Sequence, residues 1–194
     1  MLDSFARNLG VTAWSPRRLS IGWDGEAWMF PMRDAGGRVI GIRRRFPNGR
    51  NLAVKGGHEG LFIPAELPAG KLLLVCEGAT DTAALLDLDF ATMGRPSCRG
   101  GVALCRGFVR GREVVVVADR DAPGQQGVEY LAAALAACCT SVRVITPPDG
   151  VKDAREWVKR GATRTAIEAI MEAAQPMRLP VRVVRHGKGV YRVA

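Results

Sequence analysis

Three acidic clusters carry the chemistry that this sequence suggests. The first is Glu77-Gly78-Ala79-Thr80-Asp81, which follows the apolar run Leu72-Leu73-Leu74-Val75-Cys76. The second is Asp119-Arg120-Asp121-Ala122-Pro123-Gly124, which follows Val114-Val115-Val116-Val117-Ala118. The third is Lys152-Asp153, in a loop after Val142-Arg143-Val144-Ile145. Carboxylates brought together repel, and a hard cation relieves the repulsion. Mg2+ takes oxygen ligands and commonly uses one or two carboxylates together with water and substrate phosphate. Asp119-x-Asp121 at a strand tip can aim two carboxylates at one or two ions, with Glu77 as a further ligand or as a general acid/base. Gly78 and Gly124 are expected to permit tight turns beside them. The competing role for such acids is capping of the next helix, and that competition is strongest for Asp81.

The clusters must be positioned by the elements that precede them. Continuous apolar runs alternating with helical patterns predict a parallel α/β sheet, whose strands end on one shared edge. The expected strands are 71–76, 91–93, 113–118 and 141–145. The expected helices are 81–88, 127–138, one starting at 153–159, and 163–174. Glu77, Asp119 and Asp121 then converge, with Asp153 on the same edge. Upstream, a short helix precedes a strand-turn-strand pattern, Ala27–Met32, Asp34–Gly37 and Val39–Arg43. A further strand, a Gly56-Gly57 bend and a short strand Leu61–Ile63 follow. The domain reading is a small basic α+β lobe over 1–67, an α/β domain over 68–175, and a basic β-hairpin over 176–194.

Charge follows the same division. Residues 1–60 hold ten basic and five acidic side chains, residues 61–140 seven and nine, and residues 141–194 eleven and five. A mildly acidic centre suits a divalent cation, and basic flanks suit a polyanion. None of the five cysteines forms a C-x2-C pair or meets histidines at ligand spacing, so no zinc is expected. The odd count and apolar surroundings read as free thiols in a reducing, cytoplasmic setting. There is no signal-peptide pattern, and runs such as Val114–Ala118 are too short to span a membrane, so no membrane partner is expected.

Glu77-Gly-x-x-Asp81, Asp119-x-Asp121-x-x-Gly124 and Lys152-Asp153-x-x-Glu156, in this order and strand context, resemble the TOPRIM domain. That module is shared by bacterial-type primases, type IA and II topoisomerases and some nucleases. The resemblance covers about residues 70–160. It extends upstream through Trp28-x-Phe30-Pro31-Met32-Arg33-Asp34, Gly37-Arg38-Val39-Ile40-Gly41-Ile42-Arg43-x-Arg45, Lys55 and Gly60-Leu61-Phe62, which look like the small N-terminal lobe of primase catalytic cores. It is similar in particular to the primase half of phage primase-helicases. The resemblance implies a TOPRIM-type parallel sheet flanked by helices, preceded by a small antiparallel basic lobe.

It also implies an Mg2+ cofactor, with Mn2+ as a substitute, and RNA-primer synthesis from ribonucleoside triphosphates on a single-stranded DNA template. Glu77, Asp119 and Asp121 would be catalytic and, with Asp153, metal-binding. Asp81, Gly78, Gly124 and Lys152 would support them. Arg43, Arg45 and Lys55 would hold triphosphate and template phosphates. The sequence carries no zinc module and no G-x4-G-K-[ST] phosphate loop, so a separate helicase or template-recognition module is an expected partner. Phage or plasmid replication is the expected setting. Two alternatives stay open: a TOPRIM nuclease using the same carboxylates, and a non-catalytic nucleic-acid-binding module.

Overall fold

The computed structural model describes residues 1–67, 70–178, 183–186 and 190–193. Its elements run in chain order as α1 (Leu2–Leu9), α2 (Trp14–Arg18), β1 (Gly22–Trp23), β2 (Trp28–Arg33), β3 (Val39–Arg45), β4 (Asn51–Ala53), β5 (Leu72–Glu77), α3 (Gly78–Asp87), β6 (Thr92–Arg95), α4 (Val102–Val109), β7 (Glu113–Val117), α5 (Ala122–Ala136), β8 (Ser141–Ile145), α6 (Ala154–Lys159), α7 (Arg164–Ala173), β9 (Val183–His186) and β10 (Val190–Val193).

The central sheet has the order β6-β5-β7-β8, with every pair parallel. Its period-2 pattern explains why the apolar runs are continuous. Leu73 and Val75 of β5, with Val114 and Val116 of β7, face one side and pack on α4 and α5 through Cys105, Val109, Val128, Leu131 and Leu135. Leu74, Cys76, Val115 and Val117 face the other side and meet Leu85, Trp157, Ile167 and Met171. A strand buried on both faces has no polar face to alternate with. The architecture is therefore the expected helix-flanked parallel sheet behind a small antiparallel lobe.

That lobe is the sheet β1-β2-β3-β4, antiparallel throughout. It shares a core with the central domain. Phe5, Leu9, Phe30, Met32 and Phe62 pack on Ala79, Ala83 and Leu86 of α3. Residues 61–63 do not form the independent strand expected from sequence. Leu61 bridges Arg33 of the lobe and Phe62 bridges Gly94 of the central sheet, so this segment stitches one sheet to the other. Carboxylate oxygens of Asp87 also accept from Thr12 N (2.5 Å), Thr12 Oγ1 (2.6 Å) and the Ser15 hydroxyl, which pins the N-terminal segment to the end of α3. The expected C-terminal hairpin is present as the antiparallel pair β9–β10; its turn, residues 187–189, lies outside the described residues.

Two helices differ from the sequence expectation. The segment between β6 and β7 holds α4, which the sequence reading left without an element. The helix α5 starts at Ala122, five residues before the expected start, with Asp121 as its N-cap and Pro123 in its first turn. Proline is tolerated there because that N–H has no intrahelical partner.

Candidate active site

Glu77 ends β5, and α3 starts at the next residue. Gly78 makes the reversal with φ +80°, a left-handed conformation that favours glycine. The parallel register places Arg95 directly beside Glu77. Arg95 is 2% exposed, and its Nη1 donates to the Cys98 carbonyl at 2.9 Å. Burial raises the Glu77 pKa, the Arg95 guanidinium and the Cys98 N–H lower it, and Asp121 raises it further. Arg95 was not singled out by sequence: a lone arginine in Gly-Arg-Pro-Ser signals nothing until the strand register puts it there.

Asp119 follows β7, on the adjoining strand tip. Its carboxyl is pushed up to about 7, first by burial, then by Glu77, Asp153 and Asp121; Lys152 pulls it down. Asp121 lies at the entry to α5, where its Oδ1 accepts from Gly124 N at 2.8 Å. Lys152 Nζ lies 3.9 Å from Asp121 Oδ2. Gly124 acts differently from the turn expected of it. A Cβ there would sit 2.9 Å from both Asp119 Cβ and Asp121 Oδ1, so glycine lets the first turn of α5 close onto the aspartate pair.

Asp153 caps α6, its Oδ1 accepting from Glu156 N at 2.7 Å. Glu156 Oε2 accepts from Lys152 N at 2.8 Å, one residue before the cap, which ties this loop to the first turn of α6. Arg120, between the two aspartates, points away from them. Its Nε donates to the Pro147 carbonyl (2.6 Å) and its Nη1 pairs with Asp149 (2.6 Å), anchoring the loop that carries Asp153. Asp81 does not cap α3. It is 6% exposed, and its Oδ1 accepts the Arg155 N–H at 2.8 Å, which joins α3 to the start of α6. Burial, then repulsion from Asp153, raise its pKa to about 8; the Arg155 N–H opposes this.

The edge thus gathers Glu77, Asp81, Asp119, Asp121 and Asp153 closely enough to perturb one another. Among the described residues, no three Asp, Glu, His or Cys side chains are disposed to enclose an ion by themselves. The donors are all oxygen, partly buried and mutually repelling, which fits a hard divalent cation completed by water and phosphate, and not zinc. The cysteines stand apart from this role: Cys76 is buried with its thiol pushed well up, and Cys105 is buried with its thiol pushed up to about 12.

The basic candidates divide. Arg43 and Arg45 line a 90 Å³ cavity together with Gly78, Ala79 and Thr80, beside the carboxylate edge. Arg43 is engaged there: its Nη1 donates to the Pro96 carbonyl at 2.6 Å, and its Nη2 lies 3.5 Å from Glu59 Oε1. Arg45 makes no ion pair among the described residues. Lys55 is exposed after β4 and lies apart from that cavity.

No protein-family model matches this sequence, and no curated protein matches it. Solved structures do match in fold. A DnaG primase catalytic domain bound to single-stranded DNA superposes with TM-score 0.67 at 22% identity, covering 89% of this chain and 71% of that one. The primase fragment of the bacteriophage T7 primase-helicase gives 0.64 at 21%, covering 86% and 71%. The Aquifex aeolicus primase, zinc-binding and RNA polymerase domains together, gives 0.70 at 14%, covering 90% and 56%. The chain has the fold of a primase catalytic core, TOPRIM domain and N-terminal lobe together. No helix among the described residues is long and apolar enough to cross a membrane.

Proposed function

We propose that this chain catalyses divalent-metal-dependent nucleotidyl transfer, joining ribonucleotides into short primers on a single-stranded DNA template. The observation that carries the reading is the basic lobe packed against the carboxylate edge, with Arg43 and Arg45 beside Gly78–Thr80. Arginines at that position suit the phosphates of a triphosphate and of a template backbone. Likeness in fold to a primase domain solved with single-stranded DNA supports the choice of template.

In this reading Asp119, Asp121 and Glu77 would hold Mg2+, or Mn2+, and Asp153 would support the surrounding water. The cation would supply charge neutralisation at the transferring phosphate. The chain's own residues do the rest. Arg45 binds triphosphate or template phosphate, and Arg43 fixes Pro96, next to Arg95, the strand partner of Glu77. The capped ends of α5 and α6 orient Asp121 and Asp153. Lys152 offsets carboxylate charge until substrate arrives. Arg95 and the Cys98 N–H favour the ionised form of the Glu77 carboxylate. A separate helicase or template-reading partner would deliver the strand, in the setting of phage or plasmid replication in the cytoplasm.

The test is synthesis from labelled ribonucleoside triphosphates on random single-stranded templates, with a cleavage control lacking triphosphates. Templated oligoribonucleotides should form in Mg2+ and fall by more than about a hundredfold in Asp119→Ala and Glu77→Ala, beyond the loss typical of outer-sphere partners. Absence of product with every template, metal and helicase tried, or cleavage in the control, would reject the reading.

A further inference from the structure

The two arms of the Arg43 guanidinium are held unequally. Nη1 donates to the Pro96 carbonyl at 2.6 Å, a short bond to backbone just after β6. Nη2 lies 3.5 Å from Glu59 Oε1, beyond the usual N–H···O range of about 2.7–3.2 Å. The guanidinium carbon lies 5.9 Å from the ring centroid of the buried Phe62. The pair is partly solvated, its side chains being 31% and 50% exposed. Arginine and carboxylate can pair through two short parallel bonds, and this pair does not. Elsewhere in the chain Arg120 meets Asp149 at 2.6 Å, so the long contact is particular to Arg43 and Glu59.

Glu59 comes from the lobe, yet its carboxylate is seated on the loop between β6 and α4. A Cβ on Gly100 would lie 2.6 Å from Glu59 Oε2 and 2.7 Å from Ser97 Oγ, so the bare glycine makes room for the carboxylate. Gly100 N donates to Ser97 Oγ at 3.0 Å, which shapes that seat. Among the described residues Arg43 is the one cation within ion-pair distance of Glu59. Arg43 also lines the 90 Å³ cavity beside Gly78–Thr80, together with Arg45. Of the two arginines at this cavity, Arg45 makes no ion pair among the described residues, and Arg43 is partly covered by an acidic side chain.

We propose that Glu59 is an internal stand-in for phosphate: its carboxylate occupies the second arm of Arg43 in the free protein, a substrate triphosphate displaces it, and Glu59 thereby sets substrate affinity. The inference rests on the nucleotidyl-transfer reading for the identity of the anion. Nη1 keeps its bond to Pro96 throughout, so the guanidinium is already placed when the exchange occurs. Bonds from a guanidinium to phosphate oxygens are charge-assisted and short, about 2.7–2.9 Å, and are stronger than the 3.5 Å contact they replace. An ion pair this exposed is weak, worth about a two- to fivefold factor in an equilibrium, so a triphosphate with several charges can displace it. The same exposed pair would hold against a neutral ligand.

The test is binding of inorganic tripolyphosphate to the full chain, by titration calorimetry at low ionic strength, without metal, template or nucleoside. Glu59→Gln should bind it about two- to fivefold tighter than the native protein. Arg43→Ala should bind it more weakly, and adding Glu59→Gln to Arg43→Ala should change nothing further. Thermal unfolding checks that the single and double variants are folded. An equal gain from Glu59→Gln with and without Arg43 would overturn the proposal, because the lost negative charge would then act through space and not through Arg43. So would no gain on the native background, no loss in folded Arg43→Ala, or no tripolyphosphate bound by either the native protein or Glu59→Gln. The assay contains no metal, template or turnover, so a failure of primer synthesis leaves its result standing, and a failure here leaves synthesis untouched.

Discussion

Replacing Asp81 by asparagine should make the stability difference from the native protein change sign with pH. The native carboxyl is 6% exposed, and its pKa is raised from 3.8 to about 8, mainly by burial. Below the unfolded value both states are protonated and the carboxyl costs nothing. As pH rises from about 4 toward 8, the unfolded chain ionises freely while the folded chain holds its proton, so stability is lost across that window and levels off above it. At 1.36 kcal/mol per pH unit the loss reaches about 4 kcal/mol at pH 7. Asparagine keeps an acceptor for the Arg155 N–H, now 2.8 Å from Asp81 Oδ1, but buries an amide NH2 without a partner, costing about 1–3 kcal/mol. The variant should therefore be less stable by about that amount below pH 4. Near pH 8, where the native loss reaches about 5 kcal/mol, it should be more stable by about 2–4 kcal/mol, some 5–15 °C in Tm. Urea unfolding followed by tryptophan fluorescence, in EDTA at several pH values, measures this. A difference between the two proteins that is constant from pH 4 to 8.5 would refute the reasoning, because it would mean that Asp81 is ionised in the folded protein throughout.

Two further outcomes follow from the same edge. Mg2+ at about ten times its Kd should raise Tm by about 4 °C at pH 8, through relief of the repulsion around Asp119. Asp119→Asn should abolish most of that rise, and an equal rise in both proteins would place the ion elsewhere. Gly94→Ala would set a Cβ 2.3 Å from Thr82 Oγ1 and 2.5 Å from the Gly78 carbonyl. It should lower the urea midpoint by at least about 1–3 kcal/mol of stability, and Thr82→Ala should not rescue it because the carbonyl contact remains; an unchanged midpoint would remove Gly94 from the packing of the Glu77 turn.

What the sequence made legible depended on how local each signal is. Four consecutive valines in β7 need two buried faces, and that one fact fixes a central strand with helices on both sides. The start of α5 was misjudged because Ala-Pro-Gly reads as a loop, yet proline fits the first turn and Gly124 is there for Asp119 to approach. Helix α4 was missed because Gly107 weakens its local propensity and Gly100-Gly101 reads as a loop; burial of Cys105 and Val109 against the sheet holds it instead. Arg95 and the bridging role of Leu61 and Phe62 are products of strand register, which no short window of sequence contains.

At this edge, capping and the proposed metal binding are compatible roles for the same acidic residues. Asp121 and Asp153 both cap helices, each through Oδ1. A cap bond holds a carboxylate in one orientation and leaves the second oxygen with its lone pairs, so the N-termini of α5 and α6 orient two carboxylates at this edge. Those helix ends also present partial positive charge to carboxylates that repel one another. Asp119 has no such cap, and its carboxyl is pushed up to about 7, first by burial and then by three acidic neighbours. It is therefore the group whose ionisation a cation would help most, which makes Asp119, more than the capped pair beside it, the residue on which metal binding should depend.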